Sequence, residues 1–464
     1  MRKDLLFLSI IFGLFVTFRI IHILTYFHFI LWDEAVYLSI AKYFFSGGQY
    51  GLFETIRPLG LPLLLSLGLH LPFDLVLFSD IIIILFSLGT LFVVYLLGKD
   101  LFSPGVGVLS ALLLSFHPIF FSNSLRILTG IPSVFFSLLA VYFFIRHSYT
   151  LCGVFSFFAF FFRYPHGLLV LVFGFSLLSF FLKDKDWKYF ISSSIRLFLP
   201  FFILLTSFAV LFSLFFDNFF LSFFSAASHQ NNPFYTVVGF WRNLFYYPGV
   251  IFSGSLVMLF SALGIISSSL RYRLTPIYFY LFFYLSYFTL VVNKQPRFAI
   301  LFLPFFALFA SFGVFSAYSF LSSRRVKTVF LIFSIFFLLS STLSFYSSFV
   351  SYSSFPKSAP PIVSEYYSYF PDYLPSPILT SDPVPGAYRN VLFIPYYSSL
   401  DTAFQTVNSS TPFVAGAYFS RAPFPCSSPY CNGQLEEIFS LLSLKFDLAF
   451  AGSYEEEKYI FIRP

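Results

Sequence analysis

Long apolar runs, separated by short polar breaks that hold much of the charge, fill the chain from its start to about residue 349. Runs near the roughly 20 residues that cross a bilayer as a helix occupy 5–24, 75–98, 104–120, 124–145, 149–163, 165–182, 194–216, 245–268, 275–292, 298–320 and 326–348. The pattern predicts an α-helical polytopic membrane protein of about 11 spans, because backbone groups in lipid must be satisfied within the segment. The first run follows Met1-Arg2-Lys3 and lacks a small-x-small cleavage pattern before Tyr26-Phe27-His28, so it reads as an uncleaved anchor. Beyond Phe349 the pattern changes to Ser, Tyr and Pro, then to strand-like runs at 377–380, 391–395 and 411–417 and a helix-like stretch at 434–444. These predict a membrane domain over 1–349 and a small α/β domain over 350–464.

Composition agrees with that division. The 464 residues are 58% hydrophobic and only 10% charged, and mean hydropathy is +0.84, more apolar surface than a soluble domain can bury. The 77 phenylalanines read as lipid-facing filler. With the N-terminus inside, Arg2, Lys3, Lys99, Arg146, Lys183, Lys185, Lys188, Arg196, Arg271, Arg273, Arg324, Arg325 and Lys327 fall at inner ends, as expected when cytoplasmic loops retain positive charge. The net charge of +7 is therefore a topological signature, not a nucleic-acid footprint. An odd number of spans puts the tail outside the cell membrane, in an oxidising space where Cys426 and Cys431 could close a short disulfide loop. Two free thiols, or a metal pair needing further ligands, are the alternatives.

Candidate chemistry begins in the first outer loop, 25–74, at Trp32-Asp33-Glu34-Ala35-Val36-Tyr37. Ionisable groups beside a span are costly and call for a functional explanation. One carboxylate of Asp33 and Glu34 can act as general base while the other accepts a hydrogen bond or a cation. The bland alternative makes Asp33 the cap of a helix beginning near Ala35. That helix and a second one opening at Arg57-Pro58 are expected to lie along the membrane interface.

On the same outer face stand basic residues that the topology rule does not explain, Lys42, Arg57, Arg126, Arg163, Arg242, Lys294 and Arg297, and of these Arg57, Arg126, Arg163, Lys294 and Arg297 each begin or end a span. Singly, each could snorkel to headgroups. Together, beside an acid pair, they point to an anionic lipid-phosphate substrate, since guanidinium groups match phosphate in a bidentate way and cations stabilise a departing phosphate. Tyr37, His229 and Asp80 are candidates for lining an acceptor cavity.

These residues carry a family resemblance. Trp32-Asp33-Glu34-Ala35-x-Tyr37, then Arg57-Pro58-Leu59-Gly60-Leu61-Pro62-Leu63, His117-Pro118 through Asn123-Ser124-Leu125-Arg126, Arg163-Tyr164-Pro165-x-Gly167 and Asn293-Lys294-Gln295-Pro296-Arg297-Phe298 follow one another in order. The set resembles the GT-C glycosyltransferases, in particular the protein O-mannosyltransferase and aminoarabinose (lipid A) transferase group. The resemblance implies an enzyme that moves a sugar, mannose or another hexose or pentose, from a polyprenyl- or dolichyl-phosphate donor to a protein, lipid or glycan acceptor outside the cytoplasm. It implies Asp33 as catalytic base, Glu34 as support for the acceptor or a cation, and Arg57, Lys294 and Arg297 as phosphate ligands. A divalent cation, Mg or Mn, could assist, although two adjacent carboxylates are too few for a divalent site by themselves. The chain departs from the family after Leu128-Thr129, where many relatives carry an acid and this sequence has Gly130. The rival reading is a polytopic transporter or flippase, but such proteins show repeated halves and midplane charges, and here the ionisable groups gather on one face.

Overall fold

In the computed structural model the described residues are 3–25, 30–54, 56–216, 219, 223–224, 240–269, 271–291, 294–353, 361–370, 372, 378–380, 382–395, 415–419, 440, 447–454 and 457–463. His229, Cys426, Cys431 and nearly all of the helix-like stretch 434–444 lie outside them. The chain divides into two compact units, and the division is not the one expected at residue 349. The first unit comprises residues 1–25, 80–220 and 237–354, while the second joins the first outer loop, 26–79, and 221–236 to the tail from 355.

The first unit is a helical bundle. Five helices among the described residues are long and apolar enough to cross a membrane, Lys3–Leu24, Leu75–Leu101, Tyr164–Asp184, Trp187–Phe215 and Leu303–Phe320. The expected run 104–120 is broken: Pro104–Ser115 and Pro118–Ser124 meet at 65°. Pro118 removes a backbone donor at the break, and His117 fills the gap, its Nδ1 accepting the Ile119 N–H at 3.2 Å while Nε2 meets the Ile251 carbonyl at 3.0 Å. Shorter apolar helices, Gly130–Ile145 and Tyr149–Phe162, complete the middle of the bundle.

Phenylalanine does more than face lipid. Phe120, Phe121, Phe302 and Phe305 are fully buried, and Phe15, Phe144 and Phe173 nearly so. Phe144 stacks on Phe173 at 4.8 Å and Phe121 meets Phe345 edge-on at 4.4 Å. The filler expectation is thus corrected: rings occupy the interior because offset and edge contacts fill the space between helices that small residues leave open. The helices Phe260–Ser268 and Leu303–Phe320 cross where Gly264 and Gly313 face each other's chain, and a Cβ on Gly264 would be driven into the Phe309 carbonyl. Close backbone approach of this kind is how small residues hold helices together in lipid.

The second unit is built on a six-stranded mixed sheet of order β1-β3-β2-β4-β6-β5. Its strands are β1 (Gly51–Leu52), β2 (Ile378–Thr380), β3 (Leu392–Pro395), β4 (Ala415–Phe419), β5 (Asp447–Tyr454) and β6 (Glu457–Arg463). Pairing is parallel through β1, β3, β2 and β4, and antiparallel through β4, β6 and β5. The first outer loop supplies the edge strand β1, whose Gly51 amide donates to the Val391 carbonyl at 2.8 Å. This pairing is why the loop belongs with the tail. Gly51 has φ of +98°, and a Cβ there would meet the Tyr43 amide nitrogen at 2.6 Å, so only glycine fits.

The helix Trp32–Phe45 was expected to lie on the lipid interface. Instead every residue from Glu34 to Lys42 is buried, under the helix Gly60–Ser66, β1 and the short helix Val384–Tyr388. The Ser39 hydroxyl reaches the Pro383 carbonyl at 3.5 Å and Lys42 Nζ the Arg389 carbonyl at 3.3 Å. A helix covered on all sides by its own protein needs no amphipathic stripe.

Replacing Gly264 by valine is expected to push the two crossing helices apart at a cost of about 1–3 kcal/mol. Thermal unfolding of the purified protein in detergent would register this as a lower midpoint, while Gly249→Val, at a position with open space around it, should leave the midpoint nearly unchanged.

Candidate active site

Asp33 lies in the first turn of the helix Trp32–Phe45. Its Oδ1 accepts a hydrogen bond from Arg57 Nη1 at 2.8 Å, and the two side chains are each 20% exposed. Arg57 Nε donates in turn to Glu54 Oε2 at 2.8 Å, and the Glu54 side chain is 1% exposed. One guanidinium therefore joins two carboxylates. Burial opposes the Arg57 charge, but Glu54 and Asp33 outweigh it, so its proton is held more tightly than in free arginine. Tyr37 adds a ring 5.9 Å from the guanidinium carbon.

The neighbouring acid has a different local task. Glu34 is buried and its Oε2 accepts the Leu31 amide at 2.8 Å, so the cap assigned to Asp33 by the bland alternative is made by Glu34. This satisfies one of the donors that every helix start leaves open and leaves the Asp33 carboxylate to Arg57.

Within the bundle, two turns bring basic residues together. Arg163 ends the helix Tyr149–Phe162 in an extended conformation, and Arg297 sits in the 3₁₀ turn Pro296–Leu301. Both guanidinium groups lie over the Phe298 ring, at 4.8 Å and 5.7 Å from its centroid. Lys294 Nζ donates to the carbonyls of Phe288, Thr289 and Val291, with the Thr289 contact at 2.9 Å. It thereby closes the C-terminal end of the helix Thr275–Leu290, where open carbonyls and the helix dipole favour a cation. Burial lowers this ammonium to about 8. Arg126 is partly buried in the turn between the helices Pro118–Ser124 and Gly130–Ile145.

A Cβ on Gly130, at the start of the helix Gly130–Ile145, would come within 3.7 Å of Arg163 Nη1, so an acid at this position would stand against Arg163. The two cation-bearing turns share one buried polar chain: His166 Nδ1 meets the Tyr284 hydroxyl at 2.7 Å, Tyr284 stacks on Tyr280 at 4.0 Å, and the Tyr280 hydroxyl donates to the Leu301 carbonyl at 3.0 Å.

Asp80 is not an open cavity acid. It is buried beside Arg19, with Nη2 to Oδ1 at 3.6 Å. Sequence reading passed over Arg19, although a lone arginine inside the first apolar run was itself a signal. It also passed over Glu54, whose signal was an acid three residues before Arg57. Among the described residues no three His, Cys, Asp or Glu side chains gather as a metal site. Near Asp33, one oxygen of Glu54 and one of Asp33 meet Arg57, and one oxygen of Glu34 meets the Leu31 amide.

No family model and no curated protein matches the sequence. Solved structures do match. ArnT from Cupriavidus metallidurans bound to undecaprenyl phosphate superposes with a TM-score of 0.59 at 12% identity, covering 97% of both chains. The chain has the GT-C fold. The Archaeoglobus fulgidus oligosaccharyltransferase tethered to an acceptor peptide gives a TM-score of 0.62 at 11% identity, over 100% of this chain and 74% of that one. The same oligosaccharyltransferase in complex with Zn and sulfate gives 0.58 at 14% identity, over 89% and 67%. At these identities the likeness is one of fold.

On the helix that carries Asp33, burial lowers the Lys42 ammonium from its ordinary 10.5 to about 8. The unfolded chain then holds the extra proton between pH 8 and 10.5, so this residue makes folding more favourable as pH rises through that window. Unfolding midpoints measured from pH 7.5 to 10.5 should show this rising contribution in the parent and lose it in Lys42→Met.

Proposed function

We propose that the protein is an integral-membrane glycosyltransferase that transfers a sugar from a polyprenyl-phosphate donor to an acceptor hydroxyl, with Asp33 as general base. The observation that carries this reading is the Asp33 carboxylate, partly exposed and fixed by Arg57 at 2.8 Å, in a fold shared over its length with a transferase solved with undecaprenyl phosphate. A shared fold does not by itself assign an activity. The site chemistry supports it, because the acid is oriented, retains exposed surface and has a neighbour that relieves it of capping the helix.

In the proposed step Asp33 accepts the proton of the acceptor hydroxyl as that oxygen attacks the anomeric carbon. The bond from the anomeric carbon to the phosphate oxygen breaks, and polyprenyl phosphate leaves with the electron pair. A single displacement inverts the anomeric centre. Arg57, Arg126, Arg163, Lys294 and Arg297 are assigned to the lipid phosphate, whose developing charge cations stabilise. Lys294 stands at the end of the helix Thr275–Leu290, and Glu34, which also accepts the Leu31 amide, is assigned to support the acceptor or a divalent cation, Mg or Mn. Tyr37 is assigned to the acceptor cavity. His229 keeps this assignment from the sequence, and the Cys426–Cys431 disulfide remains an expectation of the same kind. The enzyme is assigned to the plasma membrane, with its N-terminus cytoplasmic and the second unit outside. The sugar is a hexose or pentose and the acceptor a protein, lipid or glycan.

The test is transfer of a labelled sugar from a polyprenyl-phosphate donor by the purified protein. Asp33→Asn is expected to cut turnover by about 10²–10⁴ with donor binding retained, while Glu34→Gln costs far less. Absence of transfer from every polyprenyl-phosphate sugar tried would sink the reading.

A further inference from the structure

A cavity of about 320 Å³ opens in the first unit where several helix ends meet. Ser103 lines it at the start of the helix Pro104–Ser115, Ser267 at the end of Phe260–Ser268, and Ser316 and Ser319 at the end of Leu303–Phe320. Phe102, directly after the helix Leu75–Leu101, adds a further wall, and Arg271 stands among these elements. Leu75–Leu101 and Leu303–Phe320 are both long and apolar enough to cross a membrane, and both finish here. The cavity therefore lies at a boundary of the apolar layer, on the cytoplasmic side in the proposed orientation.

Arg271 is more than a member of the inner positive charge. Its guanidinium carbon lies 5.3 Å from the Phe102 ring centroid and 4.6 Å from that of Phe312, two rings that stack on each other at 4.2 Å. Its Nη1 donates to the Leu101 carbonyl at 3.2 Å, as a basic side chain does when it caps a helix end. A cap of this kind leaves the other N–H groups of a guanidinium for a second acceptor. Arg273 also donates to main chain, at the Asp100 carbonyl 3.4 Å away, and the Asp100 carboxylate meets Arg146 at 2.7 Å. The acid beside Leu101 is thus held by a different arginine. The start of the helix Pro104–Ser115 adds the positive end of a dipole.

Ser316 gives a second, independent sign. It is 8% exposed and lines the cavity, yet its hydroxyl makes no hydrogen bond among the described residues. Ser110, Ser268 and Ser311, buried in the same bundle, return theirs to the carbonyl four residues back. A buried hydroxyl without a partner is costly, and one lining a hollow beside an arginine suits a ligand rich in oxygen. Much of the remaining wall is apolar, from Phe312, Phe315 and Phe320. Topology accounts for a cation on this side of the membrane, but not for a hollow that is half hydroxyl-lined and half aromatic.

We propose that this cavity binds the phosphate headgroup of an anionic phospholipid, with Arg271 and Ser316 on the phosphate and the phenylalanines against the acyl chains. Basic pockets between helix ends at the membrane surface suit such headgroups, and the aromatic wall is matched only by a ligand that also has an apolar part. The site shares no residue with the cations assigned to the donor phosphate, so it does not depend on the transfer reading.

The test is native mass spectrometry of the full-length protein in detergent, titrated with phosphatidylglycerol and, separately, with zwitterionic phosphatidylcholine carrying the same chains. The parent is expected to retain phosphatidylglycerol several times more tightly than phosphatidylcholine. Arg271→Gln loses a charge-assisted contact and should weaken phosphatidylglycerol about tenfold or more. Ser316→Ala should weaken it about two- to tenfold, and this variant carries the test if the glutamine variant does not fold. Lys188→Gln, which removes an inner charge outside the cavity, should bind as the parent does, and glycerol phosphate, which has no acyl chains, should not displace the lipid at equal concentration. Equal retention of the two lipids, parent-like binding by both Arg271→Gln and Ser316→Ala, or an equal loss in Lys188→Gln overturns the proposal. Displacement by glycerol phosphate at equal concentration overturns the assignment to a lipid.

Discussion

Among the described residues, several charges that enter the interior meet a compensating partner there. Arg19 meets Asp80 inside the bundle, Arg57 binds two carboxylates, and the Lys294 ammonium meets the carbonyls of a helix end. A related constraint acts on the bent helix pair at His117-Pro118, where one imidazole nitrogen accepts the Ile119 N–H at the break and the other meets the Ile251 carbonyl of the helix Phe240–Gly254. In a low-dielectric environment an uncompensated ion costs several kcal/mol. The positions of the ionisable groups therefore fix which helix ends and loops must meet.

That rule gives the first outer loop its unusual placement. Its helix Trp32–Phe45 carries acids at one end and Lys42 near the other, and both ends are engaged by backbone or side-chain partners within the second unit. β1 adds the loop to the tail's sheet through Gly51, a position closed to any side chain. Asp33 is thus held by a folded sheet domain, not by a pair of surface helices. In the transfer proposed for Asp33, such a support would keep the carboxylate oriented from one turnover to the next.

The cation-bearing turns of the bundle follow a related logic. Arg163 and Arg297 both lie against the ring of one phenylalanine, and the segments that carry them are joined by a buried chain from His166 through Tyr284 and Tyr280 to the Leu301 carbonyl. In the transfer proposed here these two arginines are assigned to the lipid phosphate.

By itself the sequence determined the fold class, since apolar runs of bilayer length permit little but helices, and the ordered motifs from Trp32 to Phe298 carried the resemblance to GT-C enzymes that the fold bears out. Asp33, Arg57, Arg163 and Arg297 were legible because a charge beside an apolar run stands out. Glu54 and Arg19 were not, as their importance lies in partners 3 and 61 residues away along the chain, Arg57 and Asp80. The sequence also placed the first outer loop on the lipid surface and ended the membrane domain at residue 349. Only the tertiary structure decided otherwise, because strand pairing between Gly51 and Leu392 depends on hydrogen bonds across more than three hundred residues, which no local pattern of apolar and polar positions encodes.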